Sequence, residues 1–202
     1  MPSEIRIYFE GNKSLRLGFQ AFLRDVREAA RARRIAVITF PCNAIPLEAF
    51  TCALQDHPNA LNLMLVDSEC TVAATNPWDH LARREENCLR KPKGAEEHHA
   101  HLIVQIMESW FLADKDALQS YYGQGFAVGR LPNRQDVESI PKSEVLSSLK
   151  SATQKTRKKG YHKTAHAPDL LGMIDPAKVR TASPWCERLF ATVERVIEAT
   201  QP

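Results

Sequence analysis

Apolar and polar positions along this chain alternate between two rhythms. Ile5, Arg6, Ile7, Tyr8 and Phe9 are β-branched and aromatic enough for a strand, and the run stops at the turn signal Glu10-Gly11-Asn12. Leu15, Phe19, Phe22, Leu23 and Val26 then recur at helical spacing, which predicts one amphipathic helix over residues 14–33 with Ser14 as its cap. A second strand is expected over residues 35–40. A helix follows from Pro46 to about His57, with Phe50 and Leu54 facing inward. The third strand covers residues 61–66 and ends at Asp67. Residues 70–97 break the rhythm; polar and punctuated by Pro77, Pro92 and Gly94, they read as a long excursion with a short helix near 78–84. The β pattern resumes over residues 101–107, with Glu108 directly behind it. Residues 102–112 also fit a buried helix, because a short apolar run does not settle the type.

After Asp114 the character changes. A short helix ends near Tyr122, and a Gly- and Pro-bearing loop covers residues 123–132. Helices are expected from Pro141 onward, with Val145, Leu146 and Leu149 on one face, and over residues 168–174 and 184–199. Strands alternating with helices predict an α/β fold, a mostly parallel sheet flanked by helices, followed by a C-terminal helical region. The chain accordingly divides into an α/β core over residues 1–114 and a mainly helical part over 115–202, packed on or extending that core.

Composition narrows the class without deciding the function. The 202 residues are 44% hydrophobic and 25% charged, as in an ordinary globular chain, which excludes collagen-like and mainly disordered proteins. No apolar run reaches the ~18–20 residues of a membrane span, and the N-terminus lacks a signal-peptide core, so a cytoplasmic protein without membrane contact is expected. The five cysteines have no CxxC pair and are expected as free thiols, mostly small buried apolar groups. Net charge is only +3, so the position of charge matters more than its sum.

Position is where the sequence is informative. Glu10, Asp67 and Glu108 each follow an expected strand, and Glu69 lies two residues past Asp67. In a parallel sheet the carboxyl ends share one edge, where open α/β sheets bind ligands. Four carboxylates from distant parts of the chain would therefore converge, and like charges at one place call for compensation by a cation. Mg²⁺ or Mn²⁺ suits such hard oxygen ligands and can support phosphodiester cleavage. The alternative is that each acid is only a cap or loop residue.

The stretches Phe9-Glu10-Gly11 and Asp67-Ser68-Glu69 resemble the Toprim fold of topoisomerases, primases and overcoming-lysogenization-defect nucleases. Together with Met107-Glu108-Ser109-Trp110-Phe111-Leu112-Ala113-Asp114 and Tyr161-His162-Lys163, they resemble the DUF4276 family. That family is similar to Toprim proteins and is often encoded beside ABC-type or SMC-like ATPases in antiphage loci. The resemblance implies that Glu10 is the first-motif glutamate, a base or metal ligand. It makes Asp67 and Glu69 the metal-binding acids and Glu108 a further catalytic acid. Two departures stand out: Glu69 replaces the shorter second aspartate of the motif, and Asn12-Lys13-Ser14 carries no additional acid.

The expected activity is metal-dependent hydrolysis of DNA or RNA, as effector of a partner ATPase, with homo-oligomerisation left open. The alternative is a catalytically idle Toprim-like module that binds an ATPase or nucleic acid; a phosphohydrolase acting on free nucleotides is a weaker third. Lys155, Arg157, Lys158, Lys159 and Lys163 form a basic run, with no acid over residues 145–168, suited to neutralising nucleic-acid phosphates. Tyr161 is an aromatic that can stack on an unpaired base. The histidines around Glu96-Glu97-His98-His99-Ala100-His101 lack the partner spacing of a metal site, though His101 is a candidate to face the acidic crevice. Trp78, Trp110, Trp185 and Tyr121-Tyr122 are read as packing anchors, with Trp110 and Phe111 supporting Glu108. No GxxxxGK[ST] loop and no GxSxG elbow is present, so neither ATP hydrolysis nor a serine triad is expected.

Overall fold

The computed structural model describes residues 2–85 and 87–200, so Glu86 of the expected excursion lies outside the described residues. Four parallel strands, β1 (Glu4–Glu10), β2 (Ala36–Cys42), β3 (Leu61–Asp67) and β4 (Ala100–Ile103), form one sheet in the order β2-β1-β3-β4. The chain leaves β1 toward β2 on one side and later returns to β3 on the other. The strand order therefore reverses between β1 and β3, the place where open α/β sheets form a ligand crevice.

Helices cover both faces of the sheet. Ile5, Ile7 and Phe9 of β1 and Leu61, Leu63 and Leu65 of β3 alternate onto one face, as strand geometry requires. There they meet α1 (Lys13–Phe22), α2 (Arg24–Ala32), α8 (Lys163–Met173) and α10 (Pro184–Ala199) in one core. Tyr8, Met64 and Val66 face the opposite way, onto Phe50 of α3 (Leu47–Asp56) and Trp78 and Leu81 of α4 (Pro77–Ala82). Burial on both faces explains why β3 is apolar nearly throughout rather than alternating. The expected α/β class, with a parallel sheet, flanking helices and C-terminal helices, is the one observed.

Local chemistry departs from the sequence reading in identifiable ways. The expected single helix over 14–33 is two helices bent at Leu23, so that Phe19 and Phe22 on one side of the bend and Val26 and Ala30 on the other all reach the core. Asn12, not Ser14, caps α1, because its Oδ1 accepts from the N–H groups of Ser14 and Leu15 at 3.0 and 3.3 Å. Strand β4 is shorter than expected, and the Val104–Gln105 peptide is cis. Glu108 opens a one-turn helix, α5 (Glu108–Phe111), with residues 104–107 between it and the strand.

In the C-terminal part, α6 (Lys115–Tyr122) and α7 (Lys142–Thr153) lie near the expected positions. Leu146 is nonetheless exposed while Val145 and Leu149 are buried, since it falls on the outer side of α7. Helix α8 begins at Lys163, five residues before the expected start at Pro168, and holds that proline in its interior. Packing of His166, Ala167, Leu170 and Leu171 overrides the preference of proline for a first turn. An additional helix, α9 (Pro176–Ala182), was not expected. Only Cys186 of the five free cysteines is buried; Cys52, on α3, and Cys70 and Cys88, in the irregular segments flanking α4, are exposed, and Cys42, at the end of β2, is half-buried. Trp78, Trp110 and Tyr122 are core residues, and Trp110 stacks on Phe22 with ring centroids 5.0 Å apart. Among the described residues, no helix is long and apolar enough to cross a membrane.

Helix α1 packs along α8 with Gly18 at the closest approach. A Cβ there would lie 2.5 Å from the Pro168 carbonyl oxygen and 3.1 Å from Leu171 Cβ. Gly18→Ala should therefore destabilise the protein by roughly 1–2 kcal/mol, since overpacking outweighs the gain in helix propensity. Urea unfolding of the two proteins measures this; an Ala variant as stable as wild type would contradict the close approach.

Candidate active site

Glu10 and Asp67 end adjacent parallel strands, and the backbone after each is fixed by a specific turn. After Glu10 the chain turns at Gly11, whose φ of +150° and lack of space (a Cβ would lie 2.6 Å from Leu15 Cδ1) both require glycine. Its N–H donates to the Cys42 carbonyl at 2.7 Å, tying the turn to β2. After Asp67, the Ser68 N–H donates to Ile103 O at 2.8 Å and the Glu69 N–H to Gln105 O at 2.9 Å, extending the β3–β4 pairing past the strand. Glu69 holds a left-handed φ of +67°, sterically unfavourable for a residue with a Cβ and therefore held by these neighbours.

Glu10, Asp67 and Lys163 line one cavity of about 240 Å³, together with Asn12, Asn43 and apolar side chains from β1, β3, β4 and α1. Glu108 reaches the same group through Lys163, whose Nζ lies 3.6 Å from Glu108 Oε1. The Glu108 side chain is fully buried. Tyr161 donates its phenolic O–H to Glu108 Oε1 at 3.0 Å, and Oε2 has no hydrogen-bond partner. Glu69 lines the neighbouring cavity instead, where its Oε2 accepts from Lys142 Nζ at 2.8 Å. Of the four expected acids, the fold thus joins Glu10, Asp67 and Glu108 around Lys163 and sets Glu69 across the wall formed by its own chain segment.

The electrostatics follow from this crowding. Part of the Asp67 surface still reaches the cavity, yet surrounding protein desolvates its carboxyl and pushes its pKa up to about 8. Lys163 opposes that rise, and Glu108, Glu10 and Glu69 reinforce it. For Lys163 desolvation works against the ammonium, but Glu108, Asp67 and Glu10 outweigh it and raise the pKa. Burial, then the Glu108 carboxylate, pushes the Tyr161 phenol far above its usual range, so it remains a donor.

The remaining expected residues divide cleanly. Lys155, Arg157, Lys158 and Lys159 are exposed on the segment between α7 and α8 that leads to Tyr161 and Lys163; Lys158 Nζ rests 4.1 Å from the Tyr121 ring centroid. His101 does not face the acids: it is fully buried, with Nε2 3.0 Å from the His98 carbonyl and Nδ1 3.3 Å from an Arg188 nitrogen. Burial, reinforced by Arg188, lowers its pKa to about 3, so it stays neutral. Two participants were not identified from sequence as parts of this site. The sequence marks Tyr161, within Tyr-His-Lys, only as an aromatic suited to stacking on a base. Lys142 had no signal, being 73 residues from the Glu69 it pairs with.

The donor chemistry here is that of hard oxygen ligands: the carboxyl groups of Glu10, Asp67 and Glu108, with Glu108 Oε2 buried and without a partner among the described residues. Among the described residues, however, no three His, Cys, Asp or Glu side chains converge closely enough to hold an ion between them. Glu10 and Asp67 are the pair exposed to the cavity, and Mg²⁺ is commonly held by one or two carboxylates with water and substrate phosphate completing its shell.

Fold and cavity together define a parallel α/β protein with an acidic pocket at the reversal of its strand order. The chain belongs to the family described as domain of unknown function DUF4276, whose model matches residues 11–194, starting one residue past Glu10. No curated protein and no solved structure matches it.

The raised Asp67 pKa makes a signed prediction for the metal-free protein. Above the ordinary value of 3.8 the unfolded chain loses this proton while the folded chain keeps it up to about pH 8. The native state then binds more protons, so the Asp67 contribution to stability falls as pH rises from about 4 to 8. In EDTA, Asp67→Asn should gain stability over wild type at pH 8 but not at pH 4, as read from urea midpoints. Parallel pH profiles for the two proteins would refute the buried carboxyl.

Proposed function

We propose that this chain is a Toprim-like, Mg²⁺- or Mn²⁺-dependent nuclease that hydrolyses phosphodiester bonds of DNA or RNA. In this reading it is the effector of an ABC-type or SMC-like ATPase in antiphage defence. The observation that carries the proposal is the meeting of Glu10, Asp67 and Glu108 with Lys163 at the carboxyl ends of β1 and β3. A bound divalent ion supplies positive charge to the phosphate and makes water a nucleophile near neutral pH. Glu10 and Asp67 would hold it, with Glu69 reserved by Lys142 beside them.

The chain's own groups have separate tasks in this scheme. Lys163, more than half exposed at its side chain, offers its ammonium to a non-bridging phosphate oxygen. Glu108, buried behind Lys163, holds that ammonium in place with its Oε1 3.6 Å away, and Tyr161 fixes the Glu108 carboxylate by donating to the same oxygen. The exposed Lys155, Arg157, Lys158 and Lys159 bring electropositive surface to the same approach and guide the polyanion. No side-chain nucleophile is required.

A second reading rests on Lys163 itself. An ammonium standing among three acids already compensates them, as a structural centre of an interaction module would require.

The deciding experiment incubates the purified chain, alone and with the ATPase encoded beside it, with plasmid DNA and tRNA in Mn²⁺. Cleavage that falls at least about 100-fold in Asp67→Asn supports the nuclease, the scale expected for losing a few kcal/mol of transition-state stabilisation. Millimolar Mn²⁺ should also raise the melting temperature of wild type but not of Glu10→Gln/Asp67→Asn. Partner binding that survives both substitutions, without cleavage or response to Mn²⁺, establishes the interaction module instead.

A further inference from the structure

Beside the acidic pocket lies a larger cavity of about 610 Å³, and residues 67–69 form the wall between them. Among the described residues, its charged lining is Arg83, Arg84, Lys142, Glu69 and Glu85. Lys142 and Glu69 pair with each other at 2.8 Å, and the other charged lining groups among the described residues are two guanidiniums and one carboxylate. Arg83 and Glu85 are exposed, whereas Arg84 is only 9% exposed.

Arg84 is the unusual member. A guanidinium carries five N–H donors and stays charged, so burying it requires acceptors. Its Nη1 reaches the Asp67 backbone carbonyl at 3.5 Å, the outer limit of a hydrogen bond, and its Nε is buried with no partner among the described residues. A buried, charged and under-satisfied donor bordering a cavity calls for an anion. The planar fork of a guanidinium suits the paired oxygens of a phosphate. The volume is ample for a nucleotide-sized group.

We infer that this cavity is a phosphate-binding subsite centred on Arg84, which takes the phosphate next to the scissile one on a nucleic-acid strand. Arg84 touches the carbonyl of the residue whose carboxyl lines the acidic pocket, so one strand crossing residues 67–69 presents consecutive phosphates to the two cavities. The assignment of the ligand to a nucleic-acid strand rests on the nuclease reading, while the phosphate site itself does not. His80, whose Nε2 lies 2.9 Å from the Ser68 carbonyl, positions the wall.

The test measures binding of a fluorescein-labelled single-stranded oligonucleotide to the full chain in EDTA, with inorganic phosphate and AMP as competitors. Arg84→Met should weaken oligonucleotide binding at least tenfold and reduce the salt slope by about one phosphate contact. Arg84→Lys, which keeps the charge but loses the fork, should fall between Met and wild type, and millimolar phosphate should compete with wild type only. Should Arg84→Met fail to fold by circular dichroism, Arg83→Glu, at an exposed position, carries the test and should abolish phosphate competition. Unchanged binding and competition in the folded variants overturns the subsite. AMP binding more than tenfold tighter than the oligonucleotide overturns the strand assignment in favour of a free nucleotide. Arg84-dependent phosphate binding without any cleavage in Mn²⁺ sinks the nuclease and keeps the subsite; Asp67-dependent cleavage with phosphate inert toward Arg84 does the reverse.

Discussion

Negative charge gathered where two parallel strands end is the constraint around which this molecule is arranged. Parallel pairing of β1 with β3 brings Glu10 and Asp67 to one edge, and α5 adds Glu108 behind them. Such a group is tolerated only with a countercharge or with retained protons. The protein uses both: Lys163 stands among the carboxylates, and desolvation holds Asp67 protonated to about pH 8. In the proposed function, the same tension that threatens stability is what a bound cation would relieve.

Supply of the countercharge falls to the C-terminal helices. Lys163 is the first residue of α8, and Tyr161 lies on the segment immediately before it. Helix α8 is fixed by its packing along α1 at Gly18, and α1 itself starts just after the Glu10-Gly11 turn. Errors in that helix contact would therefore move ammonium and carboxylate relative to each other. One apolar core includes residues from Ile5 through Ile197, so the C-terminal helices are part of what shapes the pocket.

The wall over residues 67–69 carries a second set of consequences. Left-handed backbone at Glu69 separates that carboxylate from Asp67, although the two are neighbours in sequence but for Ser68. Lys142 pairs with Glu69, and among the described residues Arg83 and Arg84 stand on the other side of the larger cavity, beside the acidic pocket.

The amino-acid sequence alone determined the strands and most helices, because period-2 and period-3.6 apolar patterns are local, and it placed Glu10 and Asp67 at strand ends for the same reason. It also marked Lys163 through the Tyr-His-Lys motif. Where its reading failed, the cause was long-range: α8 starts ahead of Pro168 because α1 and the core hold it, and Leu146 faces outward because of how α7 docks. Pairing of Glu69 with Lys142, the phenol of Tyr161 on Glu108, and the orphaned nitrogen of Arg84 belong to the tertiary structure only. Each depends on which distant side chain arrives to satisfy a charge, and that is fixed by packing across the whole chain rather than by any pattern along it.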